Sequence, residues 1–126
     1  MMLAATTRAD TATFPEKRPA RACFAKPFDG QEMDITPPGF CWWRAGKAGE
    51  VRYRLRVMGK SGAVAYESPV TEWTAHVPDR ALAPGQYTWL VEAIDASGKV
   101  ADTWGPRAFT IARGAFEQPW VPAQQL

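Results

Sequence analysis

The chain has 126 residues, 46% of them hydrophobic, with six tryptophans and a formal net charge of +2. That length fits one domain with a core of its own, and the composition excludes a disordered chain. The small charge, without a long basic run or a zinc-finger spacing, gives no footprint for nucleic acid; no apolar run reaches the roughly 20 residues of a membrane span.

Residues 1–22, "MMLAATTRADTATFPEKRPARA", lack the basic start and long apolar stretch of a secretory signal. Their Ala/Thr/Pro/charged composition predicts a flexible N-terminal arm. Cys23 and Cys41 are the two cysteines. They suffice for one disulfide, but free buried thiols are the default expectation, and two sulfurs do not make a metal site.

From Pro27 onward, short apolar runs alternate with turn signals about every 8–12 residues, as in a sandwich or barrel. "FDG" is a turn, and "MDITPP" an extended edge segment stopped by Pro37 and Pro38, which cannot donate to a ladder. "FCWWR" is the next strand. "VRYRLRVMG" is the clearest one: Val51, Tyr53, Leu55 and Val57 share one face, and Arg52, Arg54 and Arg56 the other. "AVAYES", a short strand at "TAHVP", the long "QYTWLVEAID", then "VADTW" and "PRAFTIA" complete the set. About seven antiparallel strands of this length predict an all-β, two-sheet sandwich. It spans residues 23–112, and residues 113–126 read as a C-terminal linker.

"LAPGQYTWLVEAIDASG" resembles the corner and sixth strand of fibronectin type III domains, a branch of the immunoglobulin-like sandwiches. The resemblance implies that Tyr87 is a corner tyrosine, ring inside and hydroxyl bonded to backbone upstream. It also makes Trp42 and Tyr53 core aromatics. A wider set of phrases is similar to the fibronectin-III-like N-terminal domain of heparinase II/III-type polysaccharide lyases. These are "TPPGFCWW", "VRYRLRV", "YES", "HVPDRALAPGQYTWLVEAID" and "GPRAFTI", between Pro27 and about Ile111. Phe40 and Trp42 carry the first family phrase, and Leu82, Pro84, Gly85, Tyr87 and Trp89 the second. The tail "FEQPWVP" resembles the connector into the helical toroid of those lyases. The resemblance implies a periplasmic or secreted parent and a partner in the catalytic toroid or another chain. The family's catalytic tyrosine and histidine belong to the toroid and its companion domain, so no catalytic residue carries over.

His76 is the single histidine. On a short strand between Ala75 and Val77 it reads as structural, because a general base needs a nucleophile and an orienting group beside it. Ser61, Ser68 and Ser97 lie in turns, without a nucleophile elbow. Asp34, Glu50, Glu67, Glu72, Glu92, Asp95 and Asp102 scatter over strand ends and turns, where solvation is the ordinary role. The expectation is a chain that is not itself an enzyme and uses no cofactor or metal.

Two surface features invite binding. Arg52, Arg54 and Arg56, with Arg44, Lys47 and Lys60, can pair acidic sugars through bidentate guanidinium contacts. The favoured alternative is a solvated sheet face in which these arginines cross to Glu92. Trp43, next to inward-facing Trp42, is expected on the outer face with Cys41, to stack on a sugar or to pack beneath the arm or another domain. Trp104 and Trp120 pose the same choice, and packing is favoured for all three. The reading is an accessory domain that docks on a catalytic domain or partner chain, with acidic-polysaccharide binding as the alternative.

Overall fold

The computed structural model describes residues 12–46 and 51–119. Its strands are β1 (Gln31–Thr36), β2 (Phe40–Cys41), β3 (Arg52–Gly59), β4 (Val64–Glu67), β5 (Ala75–His76), β6 (Gly85–Ile94) and β7 (Val100–Glu117), with no helix among the described residues. Five strands make one sheet in the order β1-β7-β6-β3-β4, and β2 pairs with β5 in a second. The architecture is all-β, two sheets across one core, consistent with a β-sandwich.

The period-two pattern of β3 fixes its register. Tyr53, Leu55 and Val57 are buried, and they pair with Ala93, Val91 and Trp89 of β6. The second sheet contributes Phe40, whose ring meets Trp89 at 5.2 Å and Phe109 at 5.6 Å, both close to edge-on. Trp42 lies over Tyr53 at 5.9 Å. Each such buried aromatic contributes on the order of 2–3 kcal/mol through lost apolar exposure. Thr36 at the end of β1 is buried; its Oγ1 donates to Leu82 O (2.9 Å) and accepts from Leu82 N (2.7 Å). That exchange ties the first strand to the turn before β6.

Several elements depart from the expected ones. "FCWWR" keeps ladder pairing only at Phe40 and Cys41, although the Trp42 amide still donates to Thr74 O at 3.0 Å. "VADTW" and "PRAFTIA" form one strand, because the ladder steps across Leu90 between Trp89↔Arg107 and Val91↔Trp104. Gly105 sits at that step with φ +105°, and a Cβ there would come within 2.9 Å of Trp89 O, so only glycine fits. The strand also runs on to Glu117, past the expected end at Ala112, because β1 lies parallel to β7 and pairs Ile35 with Phe116 and Thr36 with Glu117. The parallel pair departs from the all-antiparallel expectation.

The arm is fastened where it is described. Ala12 and Phe14 are buried, Phe14 lies 6.2 Å from the Tyr53 ring, and its amide donates to Asp102 Oδ2 at 2.8 Å. Cys41 is half-buried and Cys23 exposed, both as free thiols, so the expectation of two buried thiols fails at Cys23. Cys23 lies on a backbone segment whose carbonyl is turned to the Trp43 indole rather than into the core.

Candidate functional site

On the outer face of the large sheet, the β3–β6 register places Arg54 opposite Glu92, and the β3–β4 register places Arg56 opposite Glu67. Arg54 Nη2 reaches Glu92 Oε1 at 2.8 Å and Arg56 Nε reaches Glu67 Oε2 at 2.9 Å. Longer contacts cross-link the pairs: Arg54 Nε to Glu67 at 3.5 Å and Arg56 Nη1 to Glu92 at 3.8 Å. Two guanidinium groups and two carboxylates close into a neutral lattice. An anion arriving there must displace carboxylates already held at ideal distance. Arg52 stands apart, exposed and opposite Ile94.

Trp43 is half-buried rather than bare. Its chain has left the ladder by residue 42, so strict alternation no longer dictates an outer position. Nε1 donates to Cys23 O at 2.9 Å, and the ring meets Trp104 at 5.7 Å. Trp104 in turn lies edge-on to Trp89 at 5.2 Å, with the Arg107 guanidinium 5.1 Å from its centroid. Trp43 and Trp104 therefore extend the core toward the arm, each half-buried against aromatic neighbours. Trp120, Lys47 and Glu50 lie outside the described residues.

His76 has one close partner that the sequence did not single out. Tyr66 Oη and His76 Nε2 are 2.6 Å apart, and the two rings stack at 5.7 Å. Tyr66 is on β4 of the large sheet and His76 on β5 of the small one, so the bond spans the seam between sheets. Burial raises the Tyr66 hydroxyl above its ordinary range, with the Asp79 charge adding and Arg80 opposing. Burial lowers His76, and the Asp79 charge pulls the other way. This is a neutral pair joined by one hydrogen bond. Tyr66 could have been anticipated from parity, since "AYES" places it on the face of Val57 across β4.

Three of the remaining expected acid and hydroxyl groups, Ser68, Asp95 and Asp102, serve the backbone. Ser68 Oγ accepts from Leu55 N and donates to Pro69 O, both at 2.9 Å. Asp95 Oδ1 accepts from Ser97 N (2.9 Å), Ser97 Oγ (2.6 Å) and Lys99 N (3.0 Å), which holds the β6–β7 turn and lowers its pKa. Asp102 holds Phe14 and Thr103 amides. An open concavity of about 430 Å³ lies between the β1 end, the β6 corner and late β7; Glu117 is its single titratable lining group. No cluster of three or more potential metal ligands occurs among the described residues.

Among the described residues, the most exposed aromatic groups are Trp73 at 68%, Phe116 at 61%, Phe24 at 56% and Phe28 at 42%, none of them among the residues expected to bind. The signal for Phe24 and Phe28 was available in "CFAKPF", where phenylalanines alternate around a lysine. A scan against protein-family models finds no match to this chain, and a search of curated proteins finds none either.

Proposed function

We propose that the chain is a non-catalytic, fibronectin-III-like accessory module, resembling the N-terminal domain of heparinase II/III-type polysaccharide lyases, that packs against a catalytic domain or partner chain. The observation that carries the reading is the corner before β6. Tyr87 Oη donates to Ala83 O at 2.5 Å while its ring stacks on Phe109 at 5.4 Å, and Leu82 beside it is buried. That geometry is similar to the tyrosine corner of fibronectin-like and immunoglobulin-like sandwiches, which supports the reading. The order β7-β6-β3-β4 facing β2-β5 further supports that fold assignment.

The module reading also draws on how the polar groups are employed. Ser68, Asp95 and Asp102 hold backbone amides, and His76 is joined to a tyrosine across the seam. A reactor needs such groups aimed at an open site. Binding of acidic polysaccharide through Arg52, Arg54, Arg56 and Trp43 has less support, since Arg54 and Arg56 are neutralised and Trp43 is half-buried against Trp104 with its indole N–H given to Cys23 O.

The test is to mix the purified chain with the catalytic portion of a heparinase II/III-type lyase that lacks its own N-terminal domain. A co-eluting complex is expected, and the chain alone should release no unsaturated uronate ends from alginate or heparin. Uronate release by the chain alone overturns the reading, and so does failure to co-elute with such catalytic portions.

A further inference from the structure

Apart from the lattice on β3, the cations concentrate in "KRPARACFAK", where Lys17, Arg18, Arg21 and Lys26 occur without an intervening carboxylate. Among the described residues, all the ion pairs belong to Arg54 and Arg56, so these four cations have none. Two of them lie against phenyl rings. Arg18 Cζ is 4.3 Å from the Phe24 centroid, and Lys26 Nζ is 5.8 Å from that of Phe28. The two rings meet edge to face at 6.1 Å.

The mount under this cluster is firm. Lys26 exchanges both backbone hydrogen bonds with Cys41 (3.1 and 3.0 Å), and the flanking Ala25 and Pro27 are buried. Arg18 Nη1 donates to Ala22 O at 2.6 Å, which holds the guanidinium in place over Phe24. The nearest carboxylate in sequence beyond the rings, Asp29, accepts the Ala108 amide at 2.8 Å. With a cation against each ring, Phe24 and Phe28 still remain 56% and 42% exposed. The cluster therefore offers positive potential and apolar surface together.

We propose that Arg18, Phe24, Lys26 and Phe28 form a docking surface for an acidic peptide segment of a partner protein, one that carries apolar side chains among its carboxylates. The inference rests on the reading of the chain as a docking module and assigns that docking to residues 18–28 rather than to the β3 face. Charge complementarity selects carboxylates, because fixed, unpaired guanidinium and ammonium groups gain most from an anion. The exposed phenyl rings select a peptide over a sulfated glycan. Leucine or phenylalanine side chains bury those rings, whereas a highly charged sugar leaves them wet. One face of each ring already holds a cation.

The probe is a fluorescein-labelled peptide of alternating Glu-Glu-Leu units, followed by anisotropy with the full chain. Binding is expected below about 1 mM and should weaken on raising salt from about 50 to about 200 mM. Arg18→Ala with Lys26→Ala, and separately Phe24→Ala with Phe28→Ala, should each weaken binding about tenfold, while Arg52→Ala leaves it unchanged. Since these side chains are exposed, tryptophan emission should report an unaltered core in each variant. An isotherm that is flat to about 1 mM, or one that both double variants leave intact, overturns the proposal. Tighter binding of heparin fragments or anionic vesicles than of the peptide, indifferent to the phenylalanine pair, overturns the choice of occupant. A silent peptide titration beside an intact complex with the lyase catalytic portion sinks this surface alone. Uronate release sinks the module reading instead.

Discussion

On β3, Arg54 and Arg56 lie against Glu92 and Glu67, whereas Arg18 and Lys26, ahead of β1, lie against phenyl rings with no carboxylate as partner. Both regions are basic in sequence, and "VRYRLR" is the more conspicuous of the two. Sheet register makes the difference. An antiparallel ladder brings side chains of matched parity within about 5 Å, so a strand of arginines next to a strand carrying glutamate becomes neutral. The segment around Lys26 touches β2 at Cys41, and β2 has no acidic residue to offer. A basic run is thus informative about binding only once its cross-strand neighbours are known.

Substitutions that separate the two regions sharpen this contrast. The largest effect is expected beneath the lattice: Trp89 is fully buried on β6 between Phe40 and Trp104, and Trp89→Ala should cost about 3–5 kcal/mol in urea unfolding. Phe24→Ala, at a ring more than half exposed, should stay within about 0.5 kcal/mol in the same assay. If the Phe24 variant proved as costly as the Trp89 one, Phe24 would be part of the core rather than of a presented surface.

Next comes the corner. Tyr87→Phe removes the hydrogen bond to Ala83 O but keeps the ring on Phe109, so a loss of about 1 kcal/mol is expected in urea unfolding. Glu92→Gln should cost about 1 kcal/mol or less, as partly exposed ion pairs do. It should also free Arg54, turning an inert face into one that binds an acidic peptide. Persistent inertness in that variant would mean the lattice is not what silences β3.

The seam between sheets gives the smallest effect, and it depends on pH. His76 is lowered by burial, so its neutral form is favoured in the folded chain. Stability from this group is therefore complete above the unfolded histidine value of about 6.5 and declines as pH falls from there through the depressed folded value. His76→Gln should flatten that decline in thermal unfolding followed between about pH 7.5 and 5. A wild-type profile as flat as the variant's would remove the pair from the account of the seam.

The fold is legible where neighbours in sequence settle the structure. The alternation in residues 51–57 dictates one buried and one solvated face, and it lies where expected; the Tyr87 hydroxyl, placed by resemblance alone, bonds Ala83 O upstream. What escapes is decided by distant partners. Phe14 is drawn into the core by Tyr53 and Asp102, which lie far along the chain, and β7 continues past Ala112 because β1 lies beside it. Gly105-Pro106 resembles a break, yet it absorbs the bulge at Leu90 without ending the strand. The site divides in the same way. Trp43 obeys alternation only while its strand lasts, and the exposure of Phe24 and Phe28 follows from a short contact between Lys26 and Cys41 that no periodicity announces.

The most direct measurement is amide chemical-shift mapping of the isotopically labelled chain titrated with the Glu-Glu-Leu peptide. The account predicts saturable shifts at residues 18–28 and none at Arg54 and Arg56. Shifts centred on Arg54 and Arg56 with residues 18–28 undisturbed would contradict it.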